Sequence, residues 1–100
     1  MAVITKEKLQ NLSYKKRDIL IEKAMNRNDH VQAKALIRSG LKKWPKDWRL
    51  AGWRSVVYYE EENYKKALQW AKKSYELEPD LPWTLYNYAE ALDTLDRYEE

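Results

Sequence analysis

The feature that most constrains this chain is a set of helix signals that recurs at a fixed distance. Ala33 and Ala67 lie 34 residues apart, and so do Pro45 and Pro79. In the stretch 63–80, a capping residue precedes apolar residues at helical spacing. The proline then ends the helix, because it lacks a backbone N–H and restricts the residue before it. The recurrence predicts two equivalent helices in an architecture built from repeats.

Start signals along the chain predict a series of five helices. Short polar side chains that can accept hydrogen bonds from the first free backbone N–H groups precede each one: Ser13, Asp29, Asp47, Asn63 and Asp80. Turn-forming residues fill 26–29 and 60–63. The helical spacing predicts apolar faces that include Ile19, Ile21, Ala24, Val31, Leu36, Leu50, Val57, Ala67 and Ala71. The residues 96–99 are interpreted as the start of one more helix.

The stretch 63–80 resembles the second helix of a tetratricopeptide repeat. That family has a 34-residue period, with an aromatic residue before a helix-facing Ala and a Pro twelve residues after the Ala. Here these residues are Tyr64, Ala67 and Pro79. The resemblance covers roughly 14–100 and implies an all-α, tetratricopeptide-type α-solenoid of antiparallel helix pairs, with about two and a half repeats. The apolar face of the fifth helix matches the family's spacing on the first helix of a repeat, with Leu85, Tyr88, Ala89 and Leu92. Arg54 and Ala71 depart from the family pattern, which has Leu and a large aromatic residue there, so the packing is expected to adjust locally through Trp53 and Trp70.

The implied organisation has four parts. Residues 1–13 form an N-terminal arm or a short capping helix that covers the apolar flank of the first repeat. Repeat one spans 14–47 and repeat two spans 48–81. Residues 82–100 supply the first helix of an incomplete third repeat.

Composition argues against a catalytic centre. The chain has no Cys, so it has no disulfide, no thiol nucleophile and no Cys-based zinc site. Its single histidine, His30, is expected in the first turn of a helix rather than as a base, and no glycine-rich phosphate loop is present. We therefore expect no enzyme activity, no cofactor and no metal. With neither a signal peptide nor a membrane span expected, the predicted location is the cytoplasm.

The resemblance implies a non-catalytic protein–protein interaction module or scaffold. In the family, the first helix of each repeat lines a concave groove that holds a peptide or a helix. Register then places the following ligand-groove residues in this sequence: Arg49, Trp53, Val56, Tyr59, Trp83, Tyr86, Asn87 and Glu90. Large flat side chains with polar tips are typical of recognition surfaces. An alternative for each aromatic residue is simple packing between neighbouring helices.

Two other functions stay open at this point. One is a self-associating structural module, a homo-oligomer formed through the fifth helix, where Tyr88, Leu92 and Leu95 would lack a covering partner. The other is a nucleic-acid-associated adaptor that uses lysine pairs such as 42–43 and 72–73. The net charge is only +3 and acidic residues are interspersed, which disfavours nucleic acid as a partner.

Overall fold

The computed structural model describes residues 11–99, with side chains up to Arg97. All regular structure in this part of the chain is helical, as the sequence predicts. The helices are α1 Tyr14–Asn26, α2 His30–Lys43, α3 Trp48–Glu60, α4 Tyr64–Leu77 and α5 Pro82–Glu99. Most of the predicted arm 1–13 lies outside the described residues. The chain divides into two compact units, Met1–Pro45 and Lys46–Glu100.

The first four helices begin where the sequence predicts. The side chain of each N-cap residue accepts a hydrogen bond from the backbone N–H three residues later, which satisfies a donor that the helix itself cannot. The four pairs are Ser13 with Lys16, Asp29 with Gln32, Asp47 with Leu50 and Asn63 with Lys66. Local hydrogen bonding therefore defines these helix starts.

The turns inside the two helix pairs have the same backbone geometry. Asn28 has φ 58° between α1 and α2, and Glu62 has φ 62° between α3 and α4. This left-handed region is accessible to Asn but costs most other residues roughly 1–2 kcal/mol. Asn28 thus suits its position, whereas Glu62 is held there against its own preference. The predicted turns are confirmed at both places, except that their first residues, Asn26 and Glu60, still belong to the preceding helices.

In the first unit, α1 packs against α2 around a core of Ile21, Ala24, Ala33, Leu36 and Ile37, all buried. Most of the predicted apolar faces of these helices is therefore confirmed. Two residues differ from the prediction. Val31 is 81 % exposed, because the first turn of α2 points it away from the core, and Ile19 is also exposed.

The sequence pattern did not indicate one further buried residue of the first unit. Arg17 is fully buried, and its Nη1 donates a hydrogen bond to the backbone carbonyl of Leu36 at 3.0 Å. Its guanidinium lies 5.8 Å from the ring centre of Trp44, which also packs edge-on against Tyr14. Burial lowers the pKa of Arg17 from its ordinary value. A planar cation on an aromatic face, bonded to a carbonyl, tolerates burial better than an ammonium would.

In the second unit, small residues bring α3 and α4 close together. Ala67, Ala71 and Ser74 of α4 are buried, as is Ser55 of α3. The hydroxyl of Ser55 donates to the carbonyl of Ala67, and that of Ser74 donates to the carbonyl of Trp48, both at 2.7 Å. Because short side chains reach backbone atoms of the facing helix, the two helix axes must approach closely.

Basic and aromatic side chains alternate on another part of the α3–α4 pair. The guanidinium of Arg54 lies 4.5 Å from the ring centre of Trp70 and 5.9 Å from that of Tyr58. Lys73 lies over Trp70 at 4.9 Å, and Lys66 over Tyr58 at 5.6 Å. The departure at Arg54 is thus accommodated by cation–π contacts with Trp70 and Tyr58, whereas Trp53 contacts Arg49 instead.

The fifth helix departs from the prediction at both ends. It begins at Pro82, so the residue that precedes it is Leu81 rather than the predicted cap Asp80. The hydroxyl of Thr84 donates to the carbonyls of Glu78 and Leu81 at 2.6 and 2.9 Å, which ties the first turn to the preceding loop. The helix then continues to Glu99, so the predicted new start at 96–99 is wrong. No Gly or Pro interrupts this stretch.

The buried face of α5 also differs from the predicted one. Thr84, Ala91 and Thr94 are buried, whereas Leu85 and Leu92 are 53 % and 42 % exposed. The helix packs against α4 and, less extensively, against α3. No helix of the described chain is both long and apolar enough to cross a membrane.

The two turns generate a reciprocal prediction. Changing Glu62→Asn should raise the free energy of unfolding by about 1 kcal/mol, because Asn adopts positive φ at lower cost. Asn28→Glu should lower it by a similar amount. Urea unfolding followed by circular dichroism measures both. The control is Glu61→Asn at a φ of −87°, where no gain is expected. Equal effects at 61 and 62 would contradict the assignment of strain to Glu62.

Candidate functional site

A pocket of about 240 Å³ lies between α3 and α5 of the second unit. It is lined by eight residues: Ser55, Val56, Tyr59, Glu60, Tyr86, Asn87, Glu90 and Ala91. Five of the eight predicted groove residues are among them, namely Val56, Tyr59, Tyr86, Asn87 and Glu90. The other three, Arg49, Trp53 and Trp83, form a separate cluster at the start of the same two helices.

The helical repeat explains which residues reach the pocket. Ser55 and Tyr59 are four residues apart on α3, and so are Val56 and Glu60. Asn87 and Ala91 have the same relation on α5. Ser55, Glu60 and Ala91 were missed at the sequence level, although this spacing from predicted residues could have indicated them. Glu60 was instead interpreted as part of a turn, but it is the last residue of α3.

The two tyrosines of the pocket differ in their packing and exposure. Tyr59 packs edge-on against Tyr64 at 5.6 Å, and its hydroxyl accepts a hydrogen bond of 3.4 Å from Thr94. Tyr86 is 65 % exposed, and its hydroxyl bonds to the carboxylate of Glu90. That hydrogen bond, followed by the negative charge of Glu90, raises the pKa of Tyr86. Tyr59 is therefore a packed wall of the pocket, and Tyr86 is an accessible one.

Asn87 brings an unused hydrogen-bond donor to the pocket. Its amide nitrogen is buried and has no hydrogen-bond partner among the residues that the structure describes. The nearby hydroxyl of Ser55 is already donated to the carbonyl of Ala67. A buried donor left unsatisfied costs about 1–3 kcal/mol, so an acceptor that enters the pocket has a ready partner.

The cluster beside the pocket is built on Trp83. Its ring meets Trp48 and Trp53 edge-on, with centroids 5.8 and 6.0 Å apart, and Arg49 lies 5.7 Å from its centre. Gly52 makes this approach possible, because a Cβ there would fall 2.5 Å from a Trp83 ring atom. A glycine inside a helix is otherwise unfavourable by roughly 1 kcal/mol relative to Ala. Trp83 therefore has extensive packing contacts besides its predicted groove position.

The remaining candidates for chemistry are sparse. Among residues 11–97, no group of three or more His, Cys, Asp or Glu side chains could hold a metal ion. His30 is the first residue of α2, where the sequence places it in a first turn. Its Nε2 is buried without a hydrogen-bond partner in the described part of the chain.

Comparisons with protein-family models, with curated proteins and with solved structures gave no match.

The contrast between the two aromatic residues of α5 is testable. Trp83→Ala should lower the free energy of unfolding by about 3 kcal/mol, because it empties the space between Trp48, Trp53 and Gly52. Tyr86→Ala should change it by no more than about 0.5 kcal/mol, because most of that side chain is in solvent. Chemical unfolding of both variants measures the two changes in the free energy of unfolding. A Trp83→Ala protein as stable as Tyr86→Ala would mean that Trp83 contributes little to packing.

Proposed function

We propose that this chain is a tetratricopeptide-type helical repeat module. The support is the repetition of backbone detail at the 34-residue spacing of the sequence. N-cap residues Asp29 and Asn63 have φ −89° and −93°, with ψ 77° and 76°. The left-handed turn residues Asn28 and Glu62 obey the same spacing, as do the two 14-residue helices that follow them. Such repetition is typical of repeat proteins.

The function that this architecture and the pocket support best is non-catalytic binding of a protein segment, as an interaction module or scaffold. One observation carries the proposal. The accessible Tyr86 and Asn87, whose amide nitrogen is unsatisfied, both line a pocket that is smaller than the roughly 300–1,000 Å³ of typical small-molecule sites. An extended peptide offers a carbonyl for the amide and a side chain for the ring. With no Cys to oxidise, we propose a cytoplasmic location.

Selection from a random linear peptide library tests this function. Selected peptides should perturb the amide resonances of Val56, Tyr59 and Asn87 in NMR titrations. Tyr86→Ala should weaken binding about tenfold or more, in line with aromatic anchors at interfaces. Leu85→Ala serves as control, because it shortens an exposed side chain on the same helix outside the pocket. Peptides that bind without perturbing the pocket would contradict the proposal.

A second candidate is self-association through α5, supported by a strip of exposed apolar residues at helical spacing. Leu85, Ala89 and Leu92 share one face of the helix, and all three are exposed. Of the three residues predicted to lack a covering partner, two differ from the prediction. Leu92 is exposed, but Leu95 is half-buried and Tyr88 packs against Tyr75 with centroids 5.4 Å apart.

Sedimentation equilibrium over a range of concentrations tests the second candidate. Burial of a large apolar side chain is worth roughly 1.5–3 kcal/mol, so the wild type should associate and Leu92→Glu should shift the equilibrium to monomer. Val31→Glu is the matched control, because Val31 is 81 % exposed on a different helix. A monomeric wild type would contradict self-association.

The nucleic-acid alternative gains no support from the lysine side chains. The ammonium groups of Lys43, Lys66 and Lys73 each lie over an aromatic ring, within 5.8 Å of its centre. These contacts account for part of the lysine clusters within the fold.

A further inference from the structure

The charge of the pocket is opposite to that of the chain. The protein has a formal net charge of +3, yet the pocket is lined by Glu60 and Glu90, and none of its eight lining residues is Lys or Arg. Glu60 comes from the end of α3 and Glu90 from the middle of α5, so the two carboxylates reach the pocket from different helices. A cavity with negative charge on both sides concentrates cations and repels anions.

The aromatic walls favour the same kind of ligand group. Tyr59 and Tyr86 line the pocket together with the carboxylates, and the negative face of an aromatic ring attracts a cation. Tyr59 is fixed by Tyr64 and Thr94, so it offers a prearranged surface. Glu90 is half-buried, and its carboxylate interacts with the hydroxyl of Tyr86. Fixed groups bind at a smaller entropic cost than mobile ones.

The volume limits the ligand group to a single side chain. At about 240 Å³, the pocket lies below the range usual for drug-sized ligands and cofactors. A long flexible side chain with a charged end can place its methylene groups along Val56 and Ala91 and its charge between the carboxylates.

We propose that the pocket selects a basic side chain, Lys or Arg, of the bound peptide, with Glu60 and Glu90 as charge partners and Tyr59 and Tyr86 as aromatic walls. The inference rests on the proposed function, since it specifies which peptides the module binds. The backbone of the same peptide supplies the carbonyl acceptor for Asn87. Recognition of this kind is a difference in affinity between basic and other peptides, so it is measurable as selectivity.

The experiment compares peptide selections on three proteins. The first is wild type, the second is Glu60→Gln/Glu90→Gln, and the third is Glu76→Gln/Glu78→Gln, which has the same change in net charge outside the pocket. Gln keeps the size of Glu and removes its charge. Wild type and the third protein should enrich Lys or Arg at one fixed position. The second protein should lose that enrichment.

Affinity measurements on one selected peptide complete the test. Replacing its fixed Lys by acetyl-lysine, or its Arg by citrulline, should weaken binding to wild type about tenfold. The same replacement should have little effect on the Glu60→Gln/Glu90→Gln protein. The charge-reversed protein Glu60→Lys/Glu90→Lys should select acidic peptides instead. Rising salt should weaken the wild-type complex more than that of the neutralised protein.

The possible negative results distinguish the charge selectivity from the proposed peptide-binding function. Peptides that occupy the pocket without an enriched basic residue would overturn the charge selectivity and leave the peptide-binding function intact. A basic peptide residue that contributes equally to the affinity for wild type and for the Glu60→Gln/Glu90→Gln protein would also overturn the charge selectivity. Failure to recover any peptide that perturbs the pocket would overturn the proposed function and this inference together. Thermal melting of every variant verifies that the compared proteins are folded.

Discussion

The close approach of α3 and α4 is the contact on which the second unit depends. Buried Ala67, Ala71 and Ser74 leave no bulk between the helices, and two serine hydroxyls bond directly to carbonyls of the facing helix. These bonds fix the rotation and the longitudinal position of α4 on α3 more narrowly than apolar packing alone would. The helix α5 then packs on this pair, and the pocket forms where it faces α3.

The helix starts were predictable because their causes are local. A capping side chain and the N–H groups it serves lie within four residues, so the sequence contains the whole interaction. Burial depends on what another helix presents, and here prediction was weaker. Val31 fits a periodic apolar pattern but is exposed, and Arg17 is charged but fully buried. The 34-residue spacing places Arg17 in register with Ala51, which is buried, but also with Leu85, which is exposed, so register alone indicates neither its burial nor its hydrogen bond to Leu36.

The pocket likewise combines features that local sequence patterns predict with features that depend on packing between helices. Register identified Tyr59, Tyr86 and Asn87 on the two helices that face each other, because residues on one helix face recur at regular spacing. It could not separate them from Trp83, whose position depends on the absence of a side chain at Gly52. Nor could it indicate that the amide of Asn87 is left without an acceptor, since that is a property of all neighbours together. The negative charge of the pocket emerges only when α3 and α5 are placed side by side.

The left-handed conformation of Glu62 has a consequence for the order of folding. A residue that disfavours positive φ adopts it only when packed neighbours enforce it, so the turn between α3 and α4 gains little from local preference. Its formation should follow the docking of these helices rather than guide it. The corresponding turn at Asn28 agrees with local preference and can form early. We therefore expect the two loops to form at different stages of folding, the one at Asn28 before its helices associate and the one at Glu62 afterwards.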